Sequence, residues 1–273
     1  MSDVDRLQQH IDIWRTMVAE NVALLRELDP EDWAKPTDLP GWNVRYIGAH
    51  LAHLESELAG NPQQQVEVPE APHIKSPMSV FTESGPLARA DWTTDQIIDE
   101  LESSAAKRDK ALHAMMPLDP AAPGDGFAAV TGWNWETLLS NRVIDQWMHQ
   151  QDIRRAVDRP GGLTGAGGAH ALAVFSRGIP YVVGKRVSPP PGTSVVLDIA
   201  GEHPAELAAA VGDDGRATRV DPAPAEPTVR IGMDFETFIV LSGGRRTPEQ
   251  VTTTVTGDTS LGNAVLANLA VTF

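Results

Sequence analysis

The sequence predicts a four-helix bundle over residues 1–160 followed by a smaller α+β domain over residues 161–273. Three observations predict it. A chain of 273 residues exceeds the usual size of one hydrophobic core, which favours two domains of roughly 100 to 160 residues each. In the first part, apolar residues recur every three or four positions over long runs. In the second, short β-branched runs sit between Gly, Pro and Asp punctuation.

Within the first part, Val4, Leu7, Ile11, Trp14, Val18, Val22 and Leu25 form one amphipathic stripe, and Asp29-Pro30 ends the helix. Asn43, a good N-cap, predicts a second helix with Val44, Ile47, Leu51, Leu54 and Leu58 as its stripe, terminated by Gly60 and Pro62. The next thirty or so residues hold Pro62, Pro69, Pro72, Pro77 and Pro86 with few periodic apolar positions, and read as a long irregular connection. Connections of that length inside a domain often carry function. A third helix is predicted from about Thr94 to Met116 on Ile97, Leu101, Ala105, Leu112 and Met115. A fourth runs from about Glu136 to Val157 and stops before Arg159-Pro160-Gly161-Gly162. Beyond Gly168, strands are expected at Val195 to Ile199, Val229 to Met233 and Val251 to Thr256. Helices are expected at about Ala169 to Val183, Asp234 to Leu241 and Ser260 to Leu269. That mixture is an α+β domain.

Bulk composition narrows the function. Hydrophobic content of 41% with 22% charged residues is that of a folded globular protein. A formal net charge of −15 repels phosphate backbones and anionic lipid surfaces, so neither nucleic acid nor membrane is an expected partner. The opening Met-Ser-Asp-Val-Asp lacks a basic segment followed by an apolar one, and no run approaches a membrane span, so the expected location is the cytoplasm. With no cysteine, a disulfide, a thiolate ligand and a cysteine nucleophile are all excluded; a metal would have to use His and carboxylate, and thiol chemistry would have to import its thiol.

The candidate chemistry lies on the second and fourth helices. From Ile47 to Leu58 the stripe of the second spans about 60° of arc, with His50 roughly 70° from its centre and His53 about 130° away, so His50 borders the buried face and His53 is the less expected of the two to look into the bundle. On the fourth, Arg142, Asp145, His149 and Asp152 lie at spacings of three, four and three on one strip flanked by apolar residues. Buried charges need partners. One reading is an internal salt-bridge line, Arg142 with Asp145 and His149 with Asp152. The other adds His50: two imidazoles and a carboxylate are a usual set of three protein ligands for a divalent ion, with Asp152 orienting an imidazole from outside the set.

Asp32-Trp33, the run from Leu39 to Arg45 containing Gly41-Trp42-Asn43, Ala49-His50-Leu51 and the later Asp145-x-x-x-His149-x-x-Asp152 resemble the mycothiol-dependent maleylpyruvate isomerase family of the DinB-like superfamily. Gly243-Gly244-Arg245-Arg246, Val255-Thr256-Gly257-Asp258 and the segment from Leu266 to Thr272 are similar to the sterol-carrier-like second domain often fused in that family. The resemblance implies a DinB-like bundle and a divalent metal, usually zinc, held by His50, Asp145 and His149. Asp145 departs from the family's usual Glu; being one methylene shorter, it needs a closer backbone, a bridging water or a different ion. The resemblance further implies mycothiol as a thiol cosubstrate. Its thiolate would add to a cis double bond of an unsaturated keto acid, allow rotation and leave, giving the trans isomer.

A carboxylate substrate wants a cation, for which Arg142 is the first candidate, with pairing to Asp145 as its other reading. Arg245 and Arg230 are weaker candidates that require the second domain to close over the bundle, and both read first as ordinary surface residues. Three functions stay open: a metal-dependent, thiol-using isomerase or transferase; a hydrolase in which the same ion activates water; and a non-enzymatic binding protein whose second domain holds an apolar ligand.

Overall fold

A computed structural model describes residues 2–271, and they form two compact units that divide between Gly161 and Gly162.

The first unit is a helical bundle. Helix α1 (Asp3–Arg26) starts at a Ser2 capping box, in which the Ser2 hydroxyl accepts from Asp5 N–H and the Asp5 carboxylate accepts from Ser2 N–H. Leu7, Ile11, Trp14, Val18, Val22 and Leu25 are buried, while Val4, in the first turn, is 41% exposed and leaves the stripe. Trp33, in a 3-10 turn over Asp32–Ala34, is buried against α2 (Val44–Leu58), whose cap is Asn43 accepting from Tyr46 N–H.

The stretch after Pro62 is not irregular throughout: it contains helix α3 (Pro77–Ala88). Ser76 caps it, and Pro77 stands at its first turn, where a missing N–H loses nothing; only Pro86 lies inside, close to the end. Read as breakers, these prolines conceal a helix start. Helix α3 packs tightly on α2 because residue 85 is glycine: a Cβ there would stand 2.2 Å from His53 Cγ.

Helix α4 (Thr94–Met115) begins at Thr93, a short helix α5 (Phe127–Thr131) follows, and α6 (Trp135–Ala156) starts from Asn134, which accepts from Thr137 N–H. Helix α6 packs on α1 and α2, and α4 on the same two helices. It buries polar as well as apolar residues, among them Arg142, Gln146, His149 and Asp152. A polar strip buried in this way must find its partners inside the bundle.

In the second unit the expected single helix from Ala169 to Val183 is broken. Helix α7 (Ala166–Ser176) ends before Arg177-Gly178, and α8 (Ile179–Tyr181) continues into a wider π turn over Val182–Val187. Five strands follow: β1 (Ser194–Ala200), β2 (Ala205–Val211), β3 (Ala217–Arg219), β4 (Val229–Asp234) and β5 (Thr254–Gly257). They form one sheet in the order β3-β2-β1-β4-β5, with β1 and β4 parallel and the other pairs antiparallel. β2 escaped the sequence reading because its alanines carry no β-branched signal; Ala208 and Ala209 lie opposite Val196 and Val195 in the register. β5 starts at Thr254, three residues later than expected, after a Thr247-capped turn over Pro248–Gln250. Helices α9 (Phe235–Ser242) and α10 (Thr259–Ala267) are capped by Asp234 and Asp258. Among the described residues no helix is long and apolar enough to cross a membrane.

Candidate metal centre

His50 projects from the middle of α2, and Asp145 and His149 stand one turn apart on α6. His50 and His149 are 2% and 6% exposed, and the Asp145 side chain is 19% exposed. His50 Nε2 is 3.5 Å and His149 Nε2 3.7 Å from the same atom, Asp145 Oδ1. The imidazole centroids are 4.9 Å apart at 73°, and one ligand atom from each of the three residues lies within 4.8 Å of the others.

These distances test whether a metal fits. Ligands at about 2.0 to 2.2 Å in tetrahedral geometry are separated from each other by roughly 3.4 Å. The two N···O separations match that edge to within a few tenths of an ångström, and both are long for an N–H···O hydrogen bond. The three residues fit a divalent ion.

His149 is further defined by Asp152, whose Oδ2 accepts from Nδ1–H at 3.1 Å. A carboxylate only accepts, so the ring proton sits on Nδ1 and the Nε2 lone pair faces the cluster. Asp152, 1% exposed, takes a second bond from Arg155 Nη2 at 2.6 Å.

Arg142 is 2% exposed and all three of its nitrogens are engaged: Nη2 and Nε reach Glu55 Oε1 at 2.7 and 3.3 Å, and Nη1 reaches Asp145 Oδ2 at 3.1 Å. Asp145 is therefore divided between two tasks, Oδ2 toward Arg142 and Oδ1 toward the imidazoles. Burial pushes its carboxyl up, but its neighbours, the Arg142 guanidinium first among them, outweigh burial and hold it well below the usual carboxylate range. For His50 burial wins over the attraction of Asp145 and lowers the imidazole, so its neutral, ligating form dominates at neutral pH. Both pairings of the salt-bridge line are present, and the His50 cluster coexists with them.

Three groups at the site were missed by the sequence reading. Glu55 is fully buried and accepts on Oε1 from Trp14 Nε1 at 3.0 Å and Gln146 Nε2 at 2.9 Å as well as from Arg142. A signal existed: Glu55 borders the α2 stripe about as closely as His50 does, on its opposite edge. Trp42 spreads over the cluster, its ring 5.0 Å from His50 and 5.7 Å from His149, nearly parallel to the latter at 19°. Glu83 on α3 binds the Trp42 indole, and it was lost with its helix.

His53 lies on another side of α2 and does not join the cluster; it is nevertheless 3% exposed, because the unforeseen α3 covers it. Gln63 Oε1 accepts from its Nδ1 at 3.0 Å, Phe81 packs on its ring and the Arg89 guanidinium stands 3.4 Å away. Burial first, and Arg89 second, lower its imidazole to about 4. In the second unit Arg245 Nη1 donates to the Gly243 carbonyl at 2.7 Å, and Arg230 is paired across the sheet with Asp198 and Glu206.

A helical bundle bearing two histidines and a carboxylate on adjacent helices has the side chains from which bundle proteins build a metal site in their core. Residues 14–154, just over half of the chain, match the family described as mycothiol maleylpyruvate isomerase N-terminal domain, and the protein belongs to that family. Two crystal structures share its fold. One, of the mycothiol-dependent maleylpyruvate isomerase, is 18% identical over 91% of this chain and 92% of that chain, with a TM-score of 0.53. The other, a histidine-to-alanine mutant of that isomerase, is 17% identical with the same coverage and a TM-score of 0.51. No curated protein matches the chain.

Proposed function

We propose that this protein is a metal-dependent, thiol-using isomerase or transferase in which His50, Asp145 and His149 hold a divalent ion, zinc before others. The thiol is mycothiol, and the substrate is a small electrophile of the kind named for the similar structures, an unsaturated keto acid such as maleylpyruvate. The observation that carries this reading is the spacing of both imidazoles from a single carboxylate oxygen, 3.5 and 3.7 Å, long for hydrogen bonds and close to the separation of ligands on one ion.

When bound, the ion supplies the positive charge that lets a coordinated thiol lose its proton at neutral pH. The chain's own groups prepare for that. Two neutral imidazoles and one carboxylate leave a divalent ion with a net charge of about +1, which favours an anionic sulfur over a neutral one. Asp152 fixes the His149 ring and its tautomer. Arg142 is a positioning residue: held by Glu55, it binds one oxygen of Asp145 and turns the other toward the imidazoles. The indole of Trp42 walls the cluster and keeps water from that side.

The test is elemental analysis of full-length protein purified without chelator, followed by mycothiol titration of the metal-loaded and stripped forms. About one divalent ion per chain, with thiol binding only in the loaded form, is expected. Absence of a stoichiometric ion together with no uptake of added zinc would overturn the proposal.

A further inference from the structure

The two imidazoles of the cluster are held by different means. His149 is fixed by its Nδ1–H bond to Asp152. His50 has no equivalent: its Nδ1 is buried and has no hydrogen-bond partner among the described residues, so the plane of its ring is set by what packs on it. Two rings pack on it: that of His149, 4.9 Å away at 73°, and the indole of Trp42, 5.0 Å away at 57°.

Trp42 is itself held at both ends. Its backbone closes a tight loop, with N–H donating to Leu39 O at 3.0 Å and C=O accepting from Thr37 N–H at 3.0 Å, and Gly41 before it takes φ +82, a conformation that favours glycine. Its far end is held by Glu83, whose Oε1 accepts from the indole Nε1–H at 2.7 Å. Glu83 is 5% exposed and supplied by α3; it also accepts from the Tyr46 hydroxyl at 2.6 Å and His73 Nε2 at 3.0 Å. Bonds to an ionised acceptor are roughly twice as strong as neutral ones, so a buried carboxylate with three donors is a rigid anchor.

We propose that Glu83 is a positioning residue for His50, acting through Trp42: the carboxylate fixes the indole, and the indole does for the His50 ring what Asp152 does for that of His149. The inference rests on the metal reading of the cluster. A merely structural Glu83, tying α3 to α2 through Tyr46 and His73, would lower stability and leave the cluster unchanged.

Cobalt(II) is the probe, on the full chain, with three readings: affinity by competition with a chromophoric chelator, the visible d–d absorption, and the thermal midpoint of the metal-free form. Trp42→Phe, which keeps a ring but removes the N–H, and Glu83→Ala are each expected to weaken cobalt binding by about tenfold, the lower end of the effect of removing a partner that orients a ligand. Both should alter the d–d spectrum, and the double variant should be no weaker than the weaker single, since the two act in series. Glu83→Gln, which retains an acceptor, should recover most of the affinity. Tyr46→Phe should lower the midpoint and leave affinity within about twofold. Unchanged cobalt affinity and spectrum in Glu83→Ala, or additive effects in the double variant, would overturn the proposal. Should Glu83→Ala not fold, unchanged cobalt binding by Trp42→Phe overturns it instead. Wild-type protein that takes up no cobalt removes the metal reading and this inference with it; wild-type uptake with indifferent variants removes the inference alone.

Discussion

His50 and His53 lie less than one turn apart on α2, both are almost fully buried, and both have imidazoles lowered first by burial, yet their surroundings differ in sign. Around His50 the nearest charge is a carboxylate with one oxygen turned inward, and a second imidazole faces it. Around His53 the nearest charge is the Arg89 guanidinium, already paired with Glu100. The first surrounding invites a cation and the second already contains one. Burial makes either imidazole a neutral base; only the sign and direction of the neighbouring charge make a ligand.

The sharpest way to break this comparison is to remove each imidazole. His50→Ala and His149→Ala are expected to abolish zinc binding within the range of a chelator competition, since each deletes one of three protein ligands. His53→Ala should leave affinity within about tenfold, the scale of groups outside the ligand set. Loss of metal from His53→Ala with retention by His50→Ala would reverse the assignment.

Asp145 gives the next effect. Asp145→Asn keeps the shape and loses the charge, so zinc affinity should fall by more than about tenfold. Arg142 retains Glu55 in this variant, so the loss of stability should stay below the 3 to 5 kcal/mol or so of a fully broken buried pair. Asp145→Glu should preserve or tighten binding, although its extra methylene must fit a packed site at a cost of about 1 to 3 kcal/mol. Zinc affinity unchanged in Asp145→Asn beside a lowered thermal midpoint would leave Asp145 only the partner of Arg142.

What the sequence made legible follows the same division. The α6 strip was readable because its four polar residues repeat at helical spacing among apolar ones, and His50 because it borders a clear stripe. The surroundings of His53 were not readable, because they come from α3, whose prolines look like breakers until Ser76 and Pro77 are taken as a cap and a first turn. Glu83 and its hold on Trp42 disappeared for the same reason. Arg142 was legible as a buried cation but its role was not: the choice between substrate and Asp145 depends on Glu55, a contact 87 residues distant in sequence that no local pattern encodes. In the second unit β2 was hidden because alanine has no preference strong enough to mark a strand.

The smallest effect expected sharpens the contrast from the side of His53. Its folded-state value of about 4 lies below the ordinary 6.5, so the folded protein refuses a proton that the unfolded chain accepts. The stability contributed by keeping His53 neutral is therefore complete above about pH 6.5 and is lost progressively as pH falls toward 4, where the folded form begins to take the proton as well. The shift sets a ceiling of about 3 kcal/mol, and local opening that lets water reach the ring should reduce the observed loss to about 1 to 2 kcal/mol. His53→Gln cannot titrate and keeps a group able to bond Gln63, so it should lose less stability over this interval than wild type. Urea midpoints of the two metal-free proteins at pH 7.5 and 4.5 measure it, and because His50 is present in both, its own lowered imidazole cancels in the comparison. Parallel loss in the two proteins would mean that His53 accepts its proton without cost, and that Arg89 and α3 do not seal that side of α2 against charge.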